Sequence, residues 1–278
     1  VATPIANGFR FEPAPGTPPS TFEAFLANNL IVEAAPDSDR DFDVAVAIAT
    51  TEANPTGGEV SVPQATTNIT IPVTVTPVVD TPALGGSSSG NEDGTVAFGG
   101  DISIATADAT DGSQAISQVT IGNLPAGLVP SFTSVGTTTV TTVGGIYIIS
   151  GDEADILATL ATFSLDLSDP AYADNADDFA LDINVTTTDT DDVTGIAVTE
   201  TVGYAHPIIV NAVADLPTVA GDIDEVTPED TAVRLDDLAA ALSDVDGSET
   251  LTVEIRGVDP DAVIQSGAGV AYPSTVQT

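Results

Sequence analysis

Cysteine, methionine, tryptophan and lysine are all missing from this 278-residue chain. Without cysteine there is no disulfide, no thiolate zinc site and no cysteine nucleophile. An exported protein of this size without disulfides must be held together by large β cores or by metal. Basic side chains are almost as scarce. Arg10, Arg40, Arg234 and Arg256 stand against 42 acids, for a formal net charge of -38. Such a surface repels nucleic-acid phosphates and anionic lipid heads, so nucleic acid is not an expected partner. No apolar run approaches the roughly 18 residues that span a bilayer, so no membrane insertion is expected. Histidine occurs once, at His206, and only 13 aromatic residues are present to line a substrate cleft. With no second histidine to repeat a triad, the chain is not expected to be an enzyme, and no catalytic residues are assigned.

What the chain has in excess is aspartate. Of the acids 30 are Asp and 12 are Glu. Asp is short, favours turns and is the usual ligand of calcium loops, whereas a surface acidic only for solubility would use Glu as freely. Adaptation to high salt is the alternative explanation of the acidity. On either reading, self-repulsion opposes compaction until counterions neutralise part of the charge.

The acids and prolines recur. Val78-Val79-Asp80-Thr81-Pro82 returns as Val213-Ala214-Asp215-Leu216-Pro217, Glu92-Asp93 as Glu229-Asp230, Asp111-Gly112-Ser113 as Asp246-Gly247-Ser248, and Asp41-Phe42 as Asp178-Phe179. The offsets are 135, 137, 135 and 137 residues, and a fixed period of this kind marks an array of similar modules. The Val-x-Asp-x-Pro sites, where a strand ends and Pro blocks its continuation, set the boundaries. Residues 1–80 are then the C-terminal part of one β-sandwich repeat, 81–215 a complete repeat, and 216–278 the N-terminal part of the next. The outer two pieces together are about one period long, and the chain opens at Val1 without Met, so a window of a longer polypeptide is expected.

The expected fold class is all-β: tandem sandwich modules with one or two short helical turns each. Alternating runs of Val, Ile and Thr predict strands over 43–49, 67–75, 115–121, 137–143, 146–149, 180–186, 196–202 and 251–255, with shorter ones over 30–32 and 163–167. In Ile69-Thr70-Ile71-Pro72-Val73 the apolar residues alternate as in a half-buried strand, and Pro72 argues for a sheet edge. Helical spacing predicts short helices over 21–27, 152–160 and 235–242.

The acids gather in constellations. One is Asp80 with Glu92, Asp93, Asp108 and Asp111; its repeat is Asp215 with Glu229, Asp230, Asp244 and Asp246. Calcium takes six to eight oxygens at about 2.3–2.6 Å, and Asp-x-Asp-Gly supplies two carboxylates from one tight turn while Gly permits its positive φ. The bland alternative is an Asp-Gly hairpin turn capped by solvated acid. A second, weaker class, Asp37, Asp39 and Asp41 with Asp174, Asp177 and Asp178, follows the first two helices; it is either a calcium loop or a solvated turn. Asp189-x-Asp191-Asp192 reads as an ordinary hairpin tip. His206, beside Pro207 in a strand, reads as structural.

Glu229-Asp230-Thr231-Ala232, the run Ser243 to Val253, Leu124-Pro125-Ala126-Gly127 and Val213-Ala214-Asp215-Leu216-Pro217 resemble the long tandem repeat of giant type I-secreted, RTX-type adhesins of Gram-negative bacteria. The resemblance covers the middle module and both flanking parts. It departs at Asp108-Ala109-Thr110-Asp111, one residue longer than Asp244-Val245-Asp246. It implies immunoglobulin- or cadherin-like sandwiches, a location on the bacterial cell surface, and calcium at the junctions. The expected role is a structural extender whose partners are neighbouring modules. The alternative is a self-assembling filament or sheath subunit completed by strands of identical chains.

Overall fold

The computed structural model describes residues 1–51, 64–106, 112–170, 172–220, 224–235, 239–243, 246–259, 261–265 and 271–273. Of the described residues strand accounts for 41% and helix for 9%, against the roughly 20–25% and 30–35% usual in globular domains. The chain is therefore mostly β, in several sheets. In order, its elements are β1 (Ala2–Ile5), β2 (Gly8–Phe11), α1 (Pro19–Asn29), β3 (Phe42–Thr51), β4 (Gln64–Val73), β5 (Ala83–Gly85), β6 (Ser88–Asn91), β7 (Thr95–Ala97), a 3-10 turn at Gly99–Asp101, β8 (Ser103–Ala105) and β9 (Gln114–Gly122). They continue as β10 (Thr139–Val143), β11 (Ile146–Ser150), α2 (Glu153–Leu160), β12 (Ser164–Asp166), β13 (Phe179–Thr190), β14 (Ala197–Asn211), β15 (Thr218–Ala220), β16 (Ala239–Ala241), β17 (Val263–Gln265) and β18 (Ala271–Pro273). No helix among the described residues is long and apolar enough to cross a membrane.

The chain divides into two compact units. One comprises Val1–Pro82, Ala105–Ile116 and Thr186–Thr201; the other comprises Ala83–Ile104, Ser117–Val185 and Val202–Thr278.

The second unit holds the core. A six-stranded sheet runs in the order β10-β11-β9-β13-β14-β6, with β6 parallel to β14. Along β13 the residues Leu181, Ile183 and Val185 are buried while Asp182 is exposed, the period-2 pattern of a strand with one dry face. Ile208 and Val210 of β14 and Val119 and Ile121 of β9 are buried in the same alternation. Smaller two-stranded sheets, β12-β7 and β5-β8, accompany it, and Leu165 and Val96 are fully buried. Helix α2 starts after Asp152 with Glu153 and Asp155 in its first turn, where carboxylates favour the positive end of the helix dipole. It buries Ile156 and Leu160, one turn apart.

Phe163, which no solvent reaches, lies at the aromatic centre of this unit. Its ring stacks on Phe132 at 4.7 Å and meets Phe98 and Tyr147 edge-on at 6.1 and 6.5 Å. Its carbonyl accepts the N–H groups of Phe98 and Gly99 at 3.2 and 3.1 Å. That approach requires glycine: a Cβ at position 99 would lie 1.7 Å from the Leu160 carbonyl oxygen.

In the first unit β1 and β2 form a hairpin, and α1 begins with Pro at its first helical position, where no N–H is needed. Phe11 meets Phe25, which stacks on Phe22. Strands β3 and β4 pair over ten residues, from Phe42 opposite Val73 to Thr51 opposite Gln64. Both strands are edges of a two-stranded sheet, so the missing N–H of Pro72 breaks no central ladder.

Four expectations are corrected. Residues 30–32 form no strand. Residues 251–255 form none either: their counterpart β9 lies between β11 and β13, whereas no described strand pairs with 251–255, and strand propensity without a ladder partner does not suffice. The expected helix over 235–242 is replaced at Ala239–Ala241 by a strand paired with Thr218–Ala220, tertiary pairing having overridden the helix preference of alanine; residues 236–238 lie outside the described residues. Ile69 and Ile71 are about half exposed, at 51% and 47%, because a ribbon of two strands has no second layer over it among the described residues.

Candidate metal centre

Strand β14 ends at Asn211, and the segment that follows is anchored by carboxylates. The Val213 N–H donates to Glu92 Oε1 and the Asp215 N–H to Glu249 Oε1. The Glu92 N–H donates in turn to the Asn211 carbonyl at 3.1 Å. Glu92 is itself buried. On the chain before β13, the residues around Asp174 form a tight loop. Asp174 adopts φ 58°, a left-handed conformation that Asp tolerates better than most side chains. The Asp177 N–H donates to Asn175 Oδ1 at 2.8 Å, and the Ala176 N–H to Asp246 Oδ2 at 2.6 Å. The other oxygen of Asp246 accepts the Ser248 N–H at 2.7 Å and closes the Asp-Gly turn, with Gly247 at φ 82°.

These anchors bring three carboxylates together. Asp93, Asp174 and Asp215 each place an oxygen within 4.8 Å of the other two. The Asp215 carboxyl is raised to about 6, by hydrogen bonding with Asp174, by burial, and by the charges of Asp93, Asp174 and Glu249. Like charges this close share a proton or gather a cation. The donors are all carboxylate oxygens, which suit a hard divalent ion, and a flexible set of this kind suits calcium. Asp215 also lines a cleft of about 550 Å³ with Ser248 and Glu249.

The pH dependence has a definite sign. In the ion-free folded chain Asp215 keeps its proton up to about pH 6, whereas its ordinary value is 3.8. The stability this group contributes is present below the unfolded value and is lost as pH rises through 6. A bound cation must displace that proton. Calcium affinity is therefore expected to fall about tenfold between pH 7 and pH 5, as measured by calorimetric titration at the two values.

The first unit repeats these contacts one period earlier. The Asp80 N–H donates to Gln114 Oε1 at 2.6 Å and Gln114 Nε2 donates to the Asp80 carbonyl at 2.9 Å. Gln114 occupies the position 135 residues before Glu249. The Val75 N–H donates to Asp41 Oδ1, and the Val210 N–H to Asp178 Oδ1, both at 2.8 Å. Asp37 has φ 52°, like Asp174. The period is thus a period of hydrogen bonds. Asp37, Asp39 and Asp80 line a cleft of about 290 Å³.

Of the first class of acids, Asp93 and Asp215 enter the three-carboxylate cluster. Glu92 and Asp246 anchor the segments around it. Glu229 and Asp230 occupy an exposed turn and are not in the cluster. Asp108, Asp111 and Asp244 lie outside the described residues. Of the weaker class, Asp174 joins the cluster, Asp41 and Asp178 accept backbone N–H groups, and Asp177 is exposed. Sequence spacing treated Asp174 as part of a separate loop; only the fold brings it to residues 93 and 215. Glu249, two residues beyond the Asp-Gly turn, was also missed. His206 is fully buried, with Ser88 Oγ 2.9 Å from its Nε2. Burial lowers its pKa against the opposing charge of Asp101, so it is held neutral as part of the core. No protein-family model, curated protein or solved structure matches the chain.

Proposed function

We propose that this chain is a structural, non-enzymatic extender segment of a large secreted bacterial cell-surface adhesin, stiffened by calcium at the junctions between immunoglobulin- or cadherin-like β-sandwich modules. The observation that carries this reading is the Asp93–Asp174–Asp215 cluster. Asp215 belongs to the Val-x-Asp-x-Pro segment at the expected boundary of the middle module, so an ion held there ties the boundary to the loop before β13 and the turn after β6. The sandwich assignment is supported by the buried face of the six-stranded sheet and by the buried Val96 and Leu165 of β7 and β12. The resemblance of the repeated motifs to adhesin repeats supplies the extracellular setting.

The mechanism is charge neutralisation. In a calcium-poor cytoplasm the net charge of -38 keeps the chain loose enough for export. Outside, bound calcium cancels part of the repulsion and fixes the junction geometry, and its binding free energy becomes folding free energy. Small-angle X-ray scattering tests this. With calcium the chain is expected to give one extended, narrowly distributed particle, and with EDTA a broader distribution of sizes. Identical curves under both conditions would overturn the proposal.

A second reading is favoured by one observation. Among the described residues the β3-β4 ribbon has two open edges, and it exposes Ile48, Ile69 and Ile71, a surface suited to strand addition by an identical chain. The scattering mass separates the two: an extender stays at one chain, whereas a filament subunit grows with concentration.

A further inference from the structure

The sequence places Asp189 at a hairpin tip, but the structure gives the tip to another acid. Asp191 Oδ1 accepts the N–H groups of Val193 and Thr194 at 2.8 and 2.7 Å, and the Asp191 N–H donates to the Ile196 carbonyl at 2.9 Å. Those bonds hold the Asp191 carboxyl below its usual range. Asp189 has no part in them. It continues the buried face of β13, following Val185 and Thr187, and is 3% exposed. Its Oδ1 has no hydrogen-bond partner among the described residues. It lines the cleft of about 290 Å³ that Asp37, Asp39 and Asp80 also line. All four acids belong to the first unit.

A buried carboxylate oxygen without a donor is costly unless a proton or a cation meets it. Three further acids line the same cleft, and their carboxylates can supply the rest of a hard-ion ligand set once an ion draws them together. The Asp80 backbone is clamped on both sides by the Gln114 amide, and Asp37 is held in a left-handed turn, so both carboxylates are delivered by fixed backbone. We propose that this cleft is a second divalent-cation site, for calcium, in which Asp189 is a ligand alongside Asp37, Asp39 and Asp80. The inference rests on the calcium reading above and adds to it a ligand that neither the repeat motifs nor the family resemblance assigns. Because Asp189 comes from the far end of β13, the ion ties that strand to the loop after α1 and to the Asp80 segment.

Calcium titration of the whole chain and three variants tests it. The unsubstituted chain is expected to show at least two binding steps. Asp189→Asn keeps side-chain volume and is expected to weaken one step at least about tenfold, the loss that even an outer partner of a metal ligand commonly causes. Asp37→Asn is the control against misfolding, since its side chain is exposed and Asn accepts a positive φ readily; it is expected to weaken the same step. Asp215→Asn is expected to remove the other step and leave this one. If Asp189→Asn and Asp37→Asn bind calcium as the unsubstituted chain does while Asp215→Asn does not, the Asp189 site is wrong and the extender reading stands. If the unsubstituted chain binds no calcium, both fall.

Discussion

Chelation of calcium by EDTA is expected to lower the melting temperature of this chain by about 10 °C for each occupied site. An ion present at 100 times its dissociation constant stabilises the folded state by about 2.7 kcal/mol. For domains near 100 residues each kcal/mol moves the midpoint by about 4–8 °C, and somewhat less for larger ones. The shift should saturate with calcium and should not be reproduced by sodium chloride at equal ionic strength. That contrast separates two explanations of the acidity. A salt-adapted surface responds to general screening over a Debye length of about 10 Å at 0.1 M. The Asp93–Asp174–Asp215 cluster, with its oxygens within 4.8 Å, responds to one ion at micromolar to millimolar concentration. Scanning calorimetry in calcium, in EDTA, and in EDTA with matched salt decides between them. An unchanged midpoint in the first two overturns the calcium mechanism.

Phe163→Ala is expected to cost about 3–5 kcal/mol, the usual range for truncating a fully buried phenylalanine. The loss is set by what the ring touches: a stack on Phe132 at 4.7 Å and edge contacts with Phe98 and Tyr147. Against a typical total stability of about 5–15 kcal/mol, such a change removes roughly a fifth of the margin at least, and all of it at most. The cavity cannot close by backbone movement, because the Phe163 carbonyl is already bonded to the Phe98 and Gly99 N–H groups and Gly99 sits hard against Leu160. Urea titration monitored by circular dichroism is expected to show a lower midpoint with an unchanged slope. The loss should be equal in calcium and in EDTA, since no carboxylate of the candidate centre belongs to the ring cluster. A calcium-dependent loss would mean that the core and the ion site are one cooperative system.

The parts of this structure that were legible in the sequence are those governed by local pattern. Alternation placed β9, β11 and β13, and the apolar spacing of Ile156 and Leu160 placed α2. The acid and proline spacing was legible as a period, and the structure gives it a physical content: the Asp80–Gln114 and Asp215–Glu249 contacts, and the Asp41–Val75 and Asp178–Val210 contacts, are the same bonds a period apart. What was illegible depends on neighbours. Residues 251–255 have the composition of β9 but no described strand beside them. Ala239–Ala241 pairs as a strand because Thr218–Ala220 lies alongside. Asp174 is 81 residues from Asp93, so no spacing rule joins them. Asp189 was the avoidable miss: it shares parity with Leu181, Ile183 and Val185, and that parity alone assigned it to the buried face.

The parallel pairing of β6 with β14 has a mechanical consequence. Ser88 lies opposite Ile208 and Asn91 opposite Asn211, so two strands far apart in the sequence run side by side. Tension applied to the chain on the N-terminal side of β6 and the C-terminal side of β14 pulls the two strands in opposite directions along their length. The hydrogen bonds between them lie across that direction, so the load is shear. They must yield together, whereas an antiparallel hairpin pulled from its open ends unzips one pair at a time. The Glu92 carboxylate, bonded to the Val213 N–H just past the end of β14, acts as a further bolt across the same seam.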